Sequence, residues 1–234
     1  MKERLQRKAT RYKTVIIKTN GGRTMTGIQQ KNKNKRFRSI IQTAEALFIE
    51  HGLDHVQMQH IADAEGIGIA TLFRYFPKKN KLIVAVAIHN LERSIPYFED
   101  IASADHPAYE RLKMVLDQLT VKDTSELKHS TKFREAFESY ASFAKEPLDD
   151  IEDYINVQKR IADILLRIVE DGKVDGSIRT DIPVKEAIIT IINVYGTFGG
   201  NIALKSSISY LEDDIAPNIQ QRMLMEMLLS FIRP

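Results

Sequence analysis

The sequence contains no cysteine. Disulfides, thiolate-bound zinc and cysteine nucleophiles are thereby excluded, and the chain suits a reducing compartment without requiring one. Strand-length alternation of apolar and polar residues is also missing, which leaves an all-α fold as the expectation. No secretory core opens the chain. Residues 1–14 are polar and basic, and Val15, Ile16 and Ile17 make too short an apolar stretch, so a cytoplasmic location is expected. A single window, residues 187–204, holds eighteen uncharged residues. Thr190, Asn193, Thr197, Asn201 and three glycines make it a poor membrane span, so no membrane partner is expected.

Acid is scarce at one end. Residues 1–38 carry thirteen Lys or Arg against Glu3 alone, a local charge of +12, while the remainder carries −9, for a total of +3. Such a split points to nucleic acid or another polyanion. With 234 residues and 43% hydrophobic content, the chain can bury one helical domain and a smaller second one.

Residues 1–30 mix Lys, Arg, Thr, Asn and Gly with little periodicity and are expected to be a flexible basic arm or extension, with Met25 an alternative start. From Phe37, apolar residues recur at helical spacing through Ile40, Ile41, Ala44, Leu47 and Phe48, and His51 with Gly52 ends this helix. A short helix from Gln57 to Glu65 follows. Gly66 then makes a tight turn into a helix from Gly68 to Phe76, and Pro77 opens a fourth that Pro96 disturbs. Helix, glycine turn and short helix form the helix-turn-helix plan. Further helices are expected at residues 108–121, 133–144, from 151 through 169, 183–205 and 215–232. Asp149 with Glu152 reads as a capping box, and residues 171–177 as a loop.

Residues 66–79, GIGIATLFRYFPKK, and the upstream AEALFIEHG and HIADAEG resemble the DNA-binding domain of the TetR family of transcriptional regulators. The resemblance is close over residues 37–82. It implies a homodimer on a palindromic operator in double-stranded DNA, with one recognition helix per subunit in successive major grooves. Residues 31–80 would be the helix-turn-helix domain and residues 81–234 a helical effector-binding and dimerisation domain. Leu72 and Phe76 would face the first two helices, leaving Ile69, Ala70, Thr71, Phe73, Arg74 and Tyr75 near DNA. Arg74 suits guanine or phosphate, and the methyls of Ile69, Ala70 and Thr71 suit thymine. Arg36, Arg38, Lys78 and Lys79 would hold phosphates, Lys79 with help from a helix N-terminus. Three positions depart from the family pattern: Gly68 stands for Ser, Phe73 for Tyr, and Gln57 for a capping Thr.

Polar residues on apolar helices have two explanations, internal hydrogen bonding or a ligand pocket. By helix face the pocket candidates are Phe133, Phe137, Tyr140, Tyr154, Gln158, Asn193 and Tyr195, and the resemblance implies a small-molecule effector. Gly196, Gly199 and Gly200, with Met223, Leu224, Met227, Leu228 and Phe231, suit a dimer interface. His51, His55 and His60 straddle the Gly52 turn, so no metal is expected. No cofactor is expected either. The acidic groups at 149–153 and 212–214 precede helices and lack a catalytic partner motif, so an enzyme is not expected. The alternative is an architectural or partner-controlled DNA-binding protein without a small-molecule effector.

Overall fold

The computed structural model describes residues 27–119, 125–205 and 217–234, and every regular element among them is an α-helix. The expectations for residues 1–26 and for Val121 lie outside the described residues, as do the side chains of Gly200 and Asn201 and the start of the last helix at 215 and 216. The chain divides into two compact units, residues 1–36 and 37–234. In the first, residues 27–36 are helical, and Gln30 Nε2 donates to Asn34 Oδ1 at 3.1 Å.

The helices are α1 (Gly27–His51), α2 (Met58–Glu65), α3 (Ile69–Tyr75), α4 (Lys79–Glu92) and α5 (Ile95–Ala102), then α6 (Ala108–Leu119), α7 (Ser125–Ser142), α8 (Ile151–Asp175), α9 (Val184–Lys205) and α10 (Pro217–Ile232). Pro96 lies in the first turn of α5, where its missing N–H costs nothing. Several boundaries differ from the sequence expectation: α1 already begins at Gly27, within the stretch expected to be a flexible arm, and α7 runs from Ser125 to Ser142 instead of 133–144. Residues 171–175 continue α8 instead of forming a loop, and Gly176 at φ 70 ends it. Gly172 inside that helix is a packing glycine: a Cβ there would meet Ile178 Cδ1 at 2.4 Å. The expected capping box at Asp149 and Glu152 is also absent. Asp150 holds the N-cap position at φ 64 and makes no side-chain cap bond, because its carboxylate is turned onto Lys81.

Two apolar cores organise the second unit. One gathers Ile40, Ala44, Phe48, Ile61, Leu72, Phe76 and Leu82 from α1 to α4 and adds Phe133 and Phe137 of α7, Leu148, and Tyr154 of α8. The other joins α5, α6, the C-terminal half of α8, α9 and α10 through residues such as Phe98, Leu112, Ile168, Ile188 and Ile232. The helix-turn-helix is thus not packed on itself alone. Side chains from α7 and α8 complete its core, so a shift of either helix reaches α1 and α4 directly.

Polar contacts reinforce that joint. Glu45 of α1 is almost fully buried, and its Oε1 accepts from Arg93 at 2.6 Å and Asn90 at 3.0 Å. Ser130 of α7 donates to Asn90 Oδ1. One network therefore ties α1, the end of α4 and α7.

Candidate functional site

Gly66 ends α2 at φ 68, a left-handed conformation that glycine enters without steric cost, and Ile67 N–H returns to Ala62 O at 2.9 Å. That turn sets α3 beside α2. Leu72 and Phe76 are buried, and the Phe76 ring stacks on Phe37 with centroids 5.0 Å apart. Burying a leucine stabilises by about 1.5–3 kcal/mol, enough to fix which face of a seven-residue helix points inward. Ala70, Phe73 and Arg74 consequently stand exposed, with Ile69, Thr71 and Tyr75 half-buried at the edges. Phe73 is 44% exposed, unusual for an aromatic with no surface role. Arg74 forms no hydrogen bond or ion pair among the described residues. Arg38 is exposed on α1; Arg36 is exposed in the first unit.

The lysines behave differently from one another. Lys79, first residue of α4, donates to Asp54 O at 3.2 Å, and burial lowers its pKa against the opposing charge of Asp54. Lys78 pairs with Asp149 at 2.8 Å and Lys81 with Asp150 at 2.8 Å. The hydrogen bond raises Lys78 and lowers Asp149, so both partners agree in direction. The N-terminus of α4 is therefore tied to that of α8. Tyr140 of α7 adds a bond from its hydroxyl to Asn80 Oδ1 at 2.6 Å. His60, weighed as a metal ligand, accepts from Gln57 N–H at 3.3 Å in the first turn of α2.

Residues 40–86, from the first buried isoleucine through most of α4, match the family described as bacterial regulatory proteins, tetR family. This chain carries a tetR-family DNA-binding domain. An HTH-type transcriptional regulator from Staphylococcus aureus (strain USA300) is 33% identical to it over 90 residues, covering 38% of this chain and 49% of the relative. The match thus spans about half the length of that curated relative. Solved structures agree in fold over most of the chain. A transcriptional regulator from Saccharomonospora viridis in complex with choline covers 86% of this chain and 99% of its own at a TM-score of 0.67 and 15% identity. The fatty acid degradation regulator FadR from Bacillus halodurans covers 84% and 100% at 0.63 and 18%. The Staphylococcus relative and the Saccharomonospora structure are described as transcriptional regulators. Among the described residues, no helix is long and apolar enough to cross a membrane.

Behind the tetR-family domain lies a cavity of about 650 Å³ between α7, α8 and α9, with Leu91 and Leu119 at its edges. Of the seven residues expected to line a pocket, Tyr154, Gln158 and Asn193 are on its wall. The other four are elsewhere. Phe133 and Phe137 are buried in the first core and touch only a void of about 10 Å³ against α4. Tyr140 packs on that core, and Tyr195 is buried in the second. The physical reason is a choice of helix face: the aromatic face of α7 completes the DNA-binding domain, while its polar face turns to the cavity.

That polar face supplies Arg134, Glu135, Glu138, Ser139 and Ser142, which the sequence reasoning missed. Their spacing of one, three and four residues marks a single helical stripe, a signal present in REAFESYAS. Glu135 Oε2 and Tyr154 OH are buried without a hydrogen-bond partner. Burial pushes the Glu135 carboxyl above its usual range, Arg134 opposing and Glu138 adding. Burial, with the charge of Glu138, also pushes the Tyr154 phenol up to about 12. Tyr154 is the residue shared between cavity and core: its ring lies 4.8 Å from Phe137, which stacks on Phe133, which in turn meets Phe48 of α1.

Proposed function

We propose that the chain is a one-component transcriptional repressor that binds a palindromic operator as a homodimer and releases it when a small molecule fills the cavity. The observation that carries this is the shared helix α7, whose aromatic face builds the core under α1 and α4 and whose polar face lines the cavity. A ligand that moves α7 or α8 moves the support of α3.

Ile69, Ala70, Thr71, Phe73, Arg74 and Tyr75 form the DNA-facing surface, with Arg74 the base reader and the methyl groups set for thymine. Arg36, Arg38, Lys78 and Lys79 hold phosphates, Lys78 only after leaving Asp149. Two copies place their α3 helices about 34–36 Å apart along the duplex. Exposed Val194 of α9 and Met223, Met227 and Phe231 of α10 supply an apolar surface for the second copy. Tyr154, Gln158 and Asn193 belong to the effector site. The choline complex among the similar structures supports an organic effector without naming this one.

Selection of bound fragments from random DNA by the purified protein at physiological salt tests the proposal. A single enriched palindrome supports it. Sequence-indifferent retention that disappears as salt rises would instead mark an architectural protein gripping the backbone alone.

A further inference from the structure

The chemistry of the cavity wall goes further than its existence. Leu91, Ile161, Leu165, Val169, Ile188 and Ile192 give it an apolar body. Its charge comes from one stripe of α7, where Glu135 and Glu138 outnumber Arg134. Among the described residues, none of the three forms an ion pair. The wall therefore keeps a net negative charge, which Arg134 offsets only in part.

Two atoms of wall residues lack partners: Glu135 Oε2, which only accepts, and the Tyr154 hydroxyl, which can accept as well as donate. Neither atom has surface open to a water molecule, Tyr154 being only 6% exposed, so each meets a ligand only once its side chain turns into the cavity. A buried acceptor left without a donor is costly, so a ligand that brings donors gains what the empty wall forgoes. A ligand carboxylate would meet Arg134 and could accept from the Tyr154 hydroxyl, but it would leave Glu135 Oε2 unsatisfied and bring a like charge beside two glutamates. A neutral apolar ligand would leave both atoms as they are. A protonated amine supplies N–H donors and the opposite charge together.

We propose that the cavity takes an amphipathic amine, an apolar body with a protonated nitrogen that donates to Glu135 and Tyr154. This deepens the effector-site proposal and rests on it. Tyr154 then transmits occupancy, because the ring next to the bound nitrogen packs on Phe137 in the core of the DNA-binding domain.

The test is calorimetric titration of the full-length protein at neutral pH with n-decylamine, decanoate and n-decanol, which share one apolar chain and differ in the head. The amine is expected to bind about tenfold or more tighter than either of the others. Glu135→Gln should remove about tenfold of that affinity and Tyr154→Phe severalfold, with a cooperative urea unfolding transition as the check that each variant is folded. Tighter decanoate binding would make Arg134 the anchor and overturn the amine. Equal binding of all three would overturn it as well. In either case, loss of that binding in Leu165→Trp, which fills the cavity, leaves the effector site standing. If none of the three binds, both the amine and the effector cavity fall.

Discussion

Replacing Glu45 with alanine should cost the protein about 2–3 kcal/mol of stability. Glu45 side-chain exposure is 9%, and its Oε1 serves both Arg93 and Asn90. Truncation leaves Asn90 Nδ2 without its acceptor in a part-buried position, a penalty of about 1–3 kcal/mol. Arg93 is 36% exposed and can turn to water, so its share is that of a surface pair, under about 1 kcal/mol. The sum falls short of the roughly 3–5 kcal/mol for breaking a fully buried pair. Urea unfolding measures it, as a midpoint lowered by about 1 M at an unchanged slope. Glu45→Gln retains an acceptor oxygen and should lose about half as much. A Glu45→Ala midpoint within about 0.2 M of the parent would show that the network does not fasten α1 to α4, and would remove one of its links to α7.

Arg74→Ala should relax specificity at one base position by about 1–3 kcal/mol, whereas Lys79→Ala should weaken all sequences alike and reduce the salt slope by about 1. Identical behaviour of the two in binding assays on operator variants would refute that division of labour. Asp149→Ala frees Lys78 and removes a negative charge from the DNA side, so binding should tighten a few-fold at low salt, the gain fading as salt rises; unchanged or weaker binding in a low-salt shift assay would count against it. His89 is held below its usual pKa by burial, then by Arg93, against Glu45 and Glu92. The unfolded chain therefore takes up the proton first, and stability falls as pH drops from about 6.5 toward the folded value. Urea midpoints at pH 7.5 and 5.5 should converge in His89→Gln; parallel losses in parent and variant would place the effect elsewhere.

The DNA-binding half is legible because its signals are local. Gly66 enters the left-handed turn, and Leu72 and Phe76 repeat at the spacing of one helical face. The start of α1 is not legible in the same way. Residues 27–36 form a helix but carry no apolar stripe, so periodicity finds nothing before Phe37. The stretch DGKVDG resembles a loop for a sound compositional reason, yet it continues α8 as far as Asp175, and at Gly172 Ile178 and Ala108 occupy the space a side chain would need. The cavity was the hardest to read. Aromatics are the natural ligand contacts to expect from sequence, yet in α7 Phe133 and Phe137 lie on the face turned to the first core, since nothing local says which neighbour an amphipathic helix turns toward. Only the packing of α7 against α1 and α4 decides it.

A bound molecule changes DNA affinity only if it binds the two states of the protein unequally. Two contacts in this chain offer such a difference. One is the ring series from Tyr154 through Phe137 and Phe133 to Phe48, which joins the cavity wall to α1 by direct contact. The other is the N-terminus of α8, where Asp149 and Asp150 pair with Lys78 and Lys81, and in the proposed complex DNA phosphate would compete for Lys78. Asp150 adopts φ 64 there, a conformation costing a non-glycine residue about 1–2 kcal/mol, and both its oxygens are held by Lys81. If α8 is the element both ligands bias, the factor by which the amine weakens DNA must equal the factor by which operator DNA weakens the amine. Calorimetric titration of the amine with and without operator, set against operator titration with and without the amine, measures both factors. Closure of that cycle at a factor of one would mean that the cavity binds without regulating. A factor well above one that collapses toward one in Phe137→Leu, with the amine still bound, would locate the coupling in the rings; one that survives there and collapses in Asp149→Ala would locate it in the ion pairs.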